Sequence, residues 1–364
     1  MTNNKLSKFC IFCGKKPKSK TREHVIPQWL IKYTGDPNRE ISLGVDTRLL
    51  REKDEFKLKK FSFKSFQFPA CDSCNEEFSS LEAKVKEIIE KIILNEYLSN
   101  IEINTLLDWF DKVRIGLWLG SLLLDRDIAP VDPKFFIKNR MAEKDRGLFV
   151  YKMDDKFEGI QFIGFNSPAF QVAPSCFALC INNFYFFNFS TDYLFAKNIG
   201  FPYPSKQKYL KQDERIIFEL EVGLERIKLP LIRMPFLKPS IEVYQPIFPT
   251  KLGTINDDAE NTYGGKYVKE NCIDFSNGLG NIFYKDNGKL NVLDNETELC
   301  LNDDSLVYKR DMLSTTLANQ VLKTQLKLLM NLPSVEDLDQ ESRIRVQKIH
   351  KSFIQLQKSF MKLI

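Results

Sequence analysis

Two C-x-x-C pairs, Cys10 with Cys13 and Cys71 with Cys74, carry the clearest chemistry of this chain. Such a turn brings two thiolates onto one Zn²⁺ at about 2.3 Å, and a second pair completes a closed tetrahedral site. Core packing and redox chemistry are the other uses of paired cysteines. Where thiols are kept reduced, structural zinc is the stronger expectation. The 57 residues between the pairs are long for a simple finger, and a hairpin with a surface loop is expected to fill them. Four thiolates leave zinc no open coordination position, so its expected role is structural.

The protein has only two histidines, and His24 lies eleven residues after Cys13, inside the cysteine-framed segment. A lone histidine is usually structural or solvated. His24 becomes a candidate through its company: Glu23 immediately before it, an apolar Val25-Ile26 after it, and Asn75 directly behind Cys74. Near pH 7 a neutral imidazole can take a proton from water, while a carboxylate and an amide oxygen can hold a hard cation such as Mg²⁺ or Mn²⁺.

In CIFC (10–13), TREHVIPQW (21–29) and CDSCN (71–75) the chain resembles the HNH, or His-Me finger, endonucleases in their zinc-stapled form. The resemblance covers about residues 1–100. It implies a ββα-metal, treble-clef-like zinc module that hydrolyses nucleic-acid phosphodiesters. Cys10, Cys13, Cys71 and Cys74 would hold structural Zn²⁺. Glu23 and Asn75 would hold a catalytic Mg²⁺ or Mn²⁺, with His24 the general base. The family's middle Asn, about five residues before the second pair, is absent; Ser65-Phe66-Gln67 occupy that region, with Ser65 and Gln67 as the substitutes at hand. Glu82, seven residues after Asn75, shares its helix face and is a further candidate, though an ordinary exposed glutamate is the simpler expectation. The alternative to an endonuclease is a zinc-stabilised nucleic-acid-binding module without catalysis; a third reading makes the zinc unit a folding staple for a protein-interaction scaffold.

Charge supports a polyanionic partner. Residues 1–70 carry 16 Lys and Arg against 7 Asp and Glu, whereas the remainder carries 37 against 41. A local basic field is the footprint of nucleic-acid binding, DNA before RNA here, with a solvated basic face as the bland alternative. Lys15, Lys16, Lys18, Lys20 and Arg22 are the candidate phosphate contacts, and Trp29 and Ile26 are expected in the module's core. No signal peptide precedes Cys10, and residues 115–124 are too short an apolar run for a bilayer. A cytoplasmic location without membrane association is therefore expected. An unrestrained nuclease endangers its own cell, so control by a homo-oligomer or a regulatory protein is expected, and antiviral defence is one role that fits.

The elements that must position these residues follow from periodicity. The fold class is expected to be α+β: the zinc module, then a mixed antiparallel-sheet and helical region over residues 101–364. Residues 61–68 read as one strand and residues 34–60 as an exposed excursion. Apolar spacings of three and four predict helices over residues 78–98 and 105–124. Short aromatic and β-branched runs between residues 147 and 245 predict an antiparallel sheet with a hairpin turn at Asn182-Asn183. Residues 251–302 give weak strand signals. Terminal helices are expected over residues 313–332 and from about 334 to 364, with Ser334 and Asp337 as a capping pair and Ile349, Phe353, Leu356 and Phe360 on one face. Cys176, Cys180, Cys272 and Cys300 read as buried free thiols, and His350 as a surface residue.

Overall fold

A computed structural model describes residues 8–18, 21–45, 58–62, 67–124, 136–142, 145–154, 156–191, 193–194, 196, 200–210, 215–222, 237–247, 272–274, 279–286, 289–301, 307–331 and 339–362. It is an α+β fold with antiparallel strand pairing. In chain order the elements are β1 (Thr21–His24), α1 (Gln28–Tyr33), β2 (Glu40–Val45), β3 (Leu58–Ser62), β4 (Gln67–Ala70), α2 (Asp72–Ile93), α3 (Asn100–Leu124), α4 (Ile137–Arg140), β5 (Arg146–Lys152), β6 (Ile160–Ile163), α5 (Pro168–Val172), β7 (Cys176–Ile181) and β8 (Phe184–Phe189). Then come β9 (Pro202–Leu210), β10 (Arg215–Val222), β11 (Ile241–Gln245), β12 (Cys272–Asp274), β13 (Leu279–Gly280), β14 (Ile282–Asp286), β15 (Lys289–Leu293), α6 (Arg310–Met330) and α7 (Gln340–Lys362).

Helix α3 is buried on every side from Trp109 to Leu122, with Trp109, Phe110, Val113, Leu117 and Trp118 inside the core and the charged Asp111, Lys112 and Arg114 buried with them. It begins at Asn100 rather than at residue 105, because Ser99 and Glu102 form a capping box. The Ser99 amide donates to Glu102 Oε2 at 2.8 Å, and the Glu102 amide donates to Ser99 Oγ at 3.4 Å. No helix among the described residues is long and apolar enough to cross a membrane.

Seven strands form the main sheet in the order β15-β14-β11-β5-β8-β7-β6. Alternation divides its side chains between two cores. Leu148, Val150, Phe177, Leu179, Phe184, Phe186 and Val243 face α3, where Phe110 lies 5.5 Å from Phe186, centroid to centroid. Phe149, Tyr151, Ala178, Phe187, Phe189 and Tyr244 face Leu313, Leu317 and Val321 of α6. Cys176 and Cys180 share this second face and are buried, while Cys300 is half-exposed and the Cys272 side chain lies outside the described residues. Asn182 takes φ 50° in the β7–β8 turn, as the Asn-Asn pair predicts.

Several expectations need correction. The sheet extends past residue 245 to the β14–β15 hairpin, and among the described residues β9 pairs only with β10, as a separate ribbon. Of residues 61–68, Phe61 and Ser62 end β3, which pairs with β2, and Gln67 and Phe68 begin β4, which pairs with β1; residues 63–66 lie outside the described residues, as do Ser334 and Asp337. On α7, Ile349 is exposed while Gln357 is buried between Phe353 and Phe360, its Oε1 accepting from the Ala169 amide at 3.0 Å. His350 is half-buried, with Nε2 against the Leu329 carbonyl.

Candidate functional site

The cysteine pairs are brought together by two local devices. In the first, the Gly14 amide donates to the Cys10 carbonyl at 2.8 Å with φ 72°, a turn that glycine makes without strain. The Phe136 ring lies where a Gly14 Cβ would stand, and α4 docks on the turn through Ile137 N–H to Ile11 O at 3.1 Å and Lys138 N–H to Phe12 O at 2.9 Å. In the second, Cys71 is the N-cap of α2, so Cys74 lies in the helix's first turn. The Ile11 amide donates to Pro69 O at 2.9 Å and ties the two halves.

All four Sγ atoms lie within 4.8 Å of one another, and Cys13 Sγ is 3.7 Å from Cys71 Sγ. An edge of about 3.8 Å is what a tetrahedron with about 2.3 Å zinc–sulfur bonds requires, so the set fits a structural zinc. Burial of Cys10 pushes its thiol up, and a cluster containing buried thiolates needs a cation to hold it. These are the only three or more convergent His, Cys, Asp or Glu ligands among the described residues.

His24 ends β1, paired antiparallel with β4 so that it stands opposite Gln67. It is 9% exposed, and Gln67 Nε2 lies 2.9 Å from its Nε2. Burial, with Lys112 nearby, lowers its pKa below the usual 6.5, so the neutral ring predominates at pH 7. Arg22, two residues earlier and exposed, shares the His24 face of the strand. Lys15, Lys16 and Lys18 are exposed; Lys20 and Ser65 lie outside the described residues. Ile26 is buried, and Trp29 packs partly buried against the same core.

Glu23 takes the opposite face of β1 and meets a residue that sequence reasoning missed. Lys112 of α3 is fully buried, with Nζ 3.7 Å from Glu23 Oε1, 3.2 Å from His24 O, and ion-paired to Glu82 Oε1. Its ammonium lies 5.8 Å from both the Phe12 and Phe78 ring centroids, and those rings stack at 4.3 Å. Glu82 is thus no exposed helix glutamate; it is 8% exposed, and burial, opposed by Lys112, pushes its carboxyl up to about 7. Burial likewise raises Glu23. A lysine in a buried stretch of helix needs a partner, but the sequence does not say that Glu82 and Glu23 supply it.

Asn75 lies in the first turn of α2, its Oδ1 buried without a hydrogen-bond partner. That atom suits a ligand. Glu23 is half-buried, with Oε1 3.7 Å from the buried Lys112 ammonium. Comparison with protein-family models, with curated proteins and with solved structures finds no match to this chain.

Proposed function

We propose that this chain is a nuclease in which His24 activates water for attack on a nucleic-acid phosphodiester, DNA before RNA. The observation that carries this reading is the pinned, neutral imidazole of His24, on the strand face that also bears the exposed Arg22. The order of two paired strands and a helix, with four cysteines closing their base, supports the same reading. So does the charge balance of residues 1–70.

Gln67 engages Nε2 and leaves Nδ1 for the water. The amide can present either its NH₂ or, after a half-turn, its oxygen. With oxygen at that place the ring donates from Nε2, and Nδ1 becomes the basic nitrogen. His24 then removes the water proton as oxygen attacks phosphorus, and one bridging ester oxygen leaves. Arg22 is the cation on that face to meet the charge that develops. Zinc on Cys10, Cys13, Cys71 and Cys74 would tie the turn at residues 10–14 to the start of α2 and would take no part in the chemistry.

A second reading, a zinc-stabilised nucleic-acid-binding module without catalysis, is favoured by the inward turn of Glu23. Cleavage of plasmid and single-stranded DNA by wild type and His24→Ala separates the two. Loss of cutting in the variant with binding retained establishes the nuclease. Salt-sensitive binding without cutting by either protein establishes the module.

A further inference from the structure

The Glu23–Glu82 pair is a negative pocket made within the first hundred residues, yet its cation comes from α3, beyond residue 100. Lys112 Nζ donates to Glu82 Oε1 and to the His24 backbone oxygen and lies 3.7 Å from Glu23 Oε1, beside the stacked Phe12 and Phe78 rings. The ammonium side chain has no solvent exposure. A divalent ion between these carboxylates would stand against a fixed positive charge in a medium that screens poorly. The aromatic pair and α3 limit hydration there, leaving the Glu23 and Glu82 side chains 13% and 11% exposed.

We infer that Lys112 is the resident cation of the Glu23–Glu82 pocket, so that neither Mg²⁺ nor Mn²⁺ binds at Glu23. The ammonium also clamps β1 to α2, because its partners are Glu23 and the His24 carbonyl on one and Glu82 on the other. Lys112 is thus a positioning residue, placed behind His24 rather than in contact with a substrate. The activity arm of the test rests on the nuclease reading; the binding arm does not.

The experiment is a titration of the zinc-loaded full chain with Mn²⁺, read by the electron paramagnetic resonance signal of the free ion. Wild type and Glu23→Gln are expected to give the same isotherm, and Lys112→Met to gain one Mn²⁺ per chain, bound at least tenfold more tightly than any site in wild type. Adding Glu23→Gln to Lys112→Met should remove that site. A wild-type Mn²⁺ site abolished by Glu23→Gln would overturn the inference. If Lys112→Met does not fold, the wild-type and Glu23→Gln comparison decides alone. In parallel, DNA cleavage is followed in chelator-scrubbed buffer with zinc content checked. Cutting that Mn²⁺ leaves unchanged supports the inference, while cutting that requires Mn²⁺ and is lost in Glu23→Gln contradicts it. Absence of cutting in every condition defeats the nuclease reading and leaves the binding result standing.

Discussion

Gln67 Nε2 stands 2.9 Å from His24 Nε2, and the two residues face each other directly across the β1–β4 ladder. The ring is therefore oriented by a neighbouring strand rather than by its own. Gln67→Met should lower kcat by roughly tenfold to a hundredfold with little change in KM, since general-base catalysis as a whole contributes about 10²–10⁴-fold. Gln67→Glu, which can only accept when ionised, should restore orientation and move the acid limb of the pH–rate profile upward. A Gln67→Met enzyme with full kcat would remove Gln67 from the account.

Protonation of His24 is disfavoured by burial and by Lys112, so its folded pKa lies below the ordinary 6.5. The corresponding stability is present in full above the unfolded value and is lost as pH falls through the folded one. Urea denaturation at pH 7.5 and 5.5, run on wild type and His24→Gln, should show a larger acid-side loss in wild type. Equal losses in both proteins would mean that this ring does not contribute.

Lys112→Met leaves Glu23 and Glu82 buried without their cation. Breaking a buried pair in this way costs about 3–5 kcal/mol. Adding Glu82→Gln should recover part of the loss, and the interaction energy of the double-mutant cycle measures the coupling. Additive losses would show that the ammonium and Glu82 act independently.

Gly116 of α3 approaches the segment after β1 so closely that an added Cβ would lie 2.7 Å from Val25 Cγ1. Gly116→Ala should destabilise by about 1–3 kcal/mol through overpacking, and it should lower activity by displacing the neighbour of His24. Val25→Ala in the same chain should relieve the clash. Unchanged activity in Gly116→Ala would show that α3 does not set the position of β1.

Zinc removal should be felt through folding. One zinc per chain is expected by elemental analysis, and Cys74→Ser or a strong chelator should lower Tm and abolish salt-sensitive DNA binding together. A zinc-free chain with unaltered Tm would contradict a structural metal.

The four cysteines were legible because ligand spacing is a local property, and the structure gathers them as the spacing requires. The β7–β8 turn was legible for the same reason, through Asn182. Lys112 was not, because its meaning depends on a contact with Glu82 across 30 positions. The division of residues 61–68 between two ladders was equally hidden, since β3 and β4 differ in partner rather than in composition. Packing also runs across position 100: Val25, Phe78 and Trp118 belong to one core.

The most direct test is cleavage of plasmid DNA by the zinc-loaded wild type and by His24→Ala, with circular dichroism confirming that both are folded. Cutting by wild type that falls by about 10²-fold or more in the variant is the expected result. Equal cutting by the two proteins, or none by either while DNA binding persists, would contradict His24 as the base.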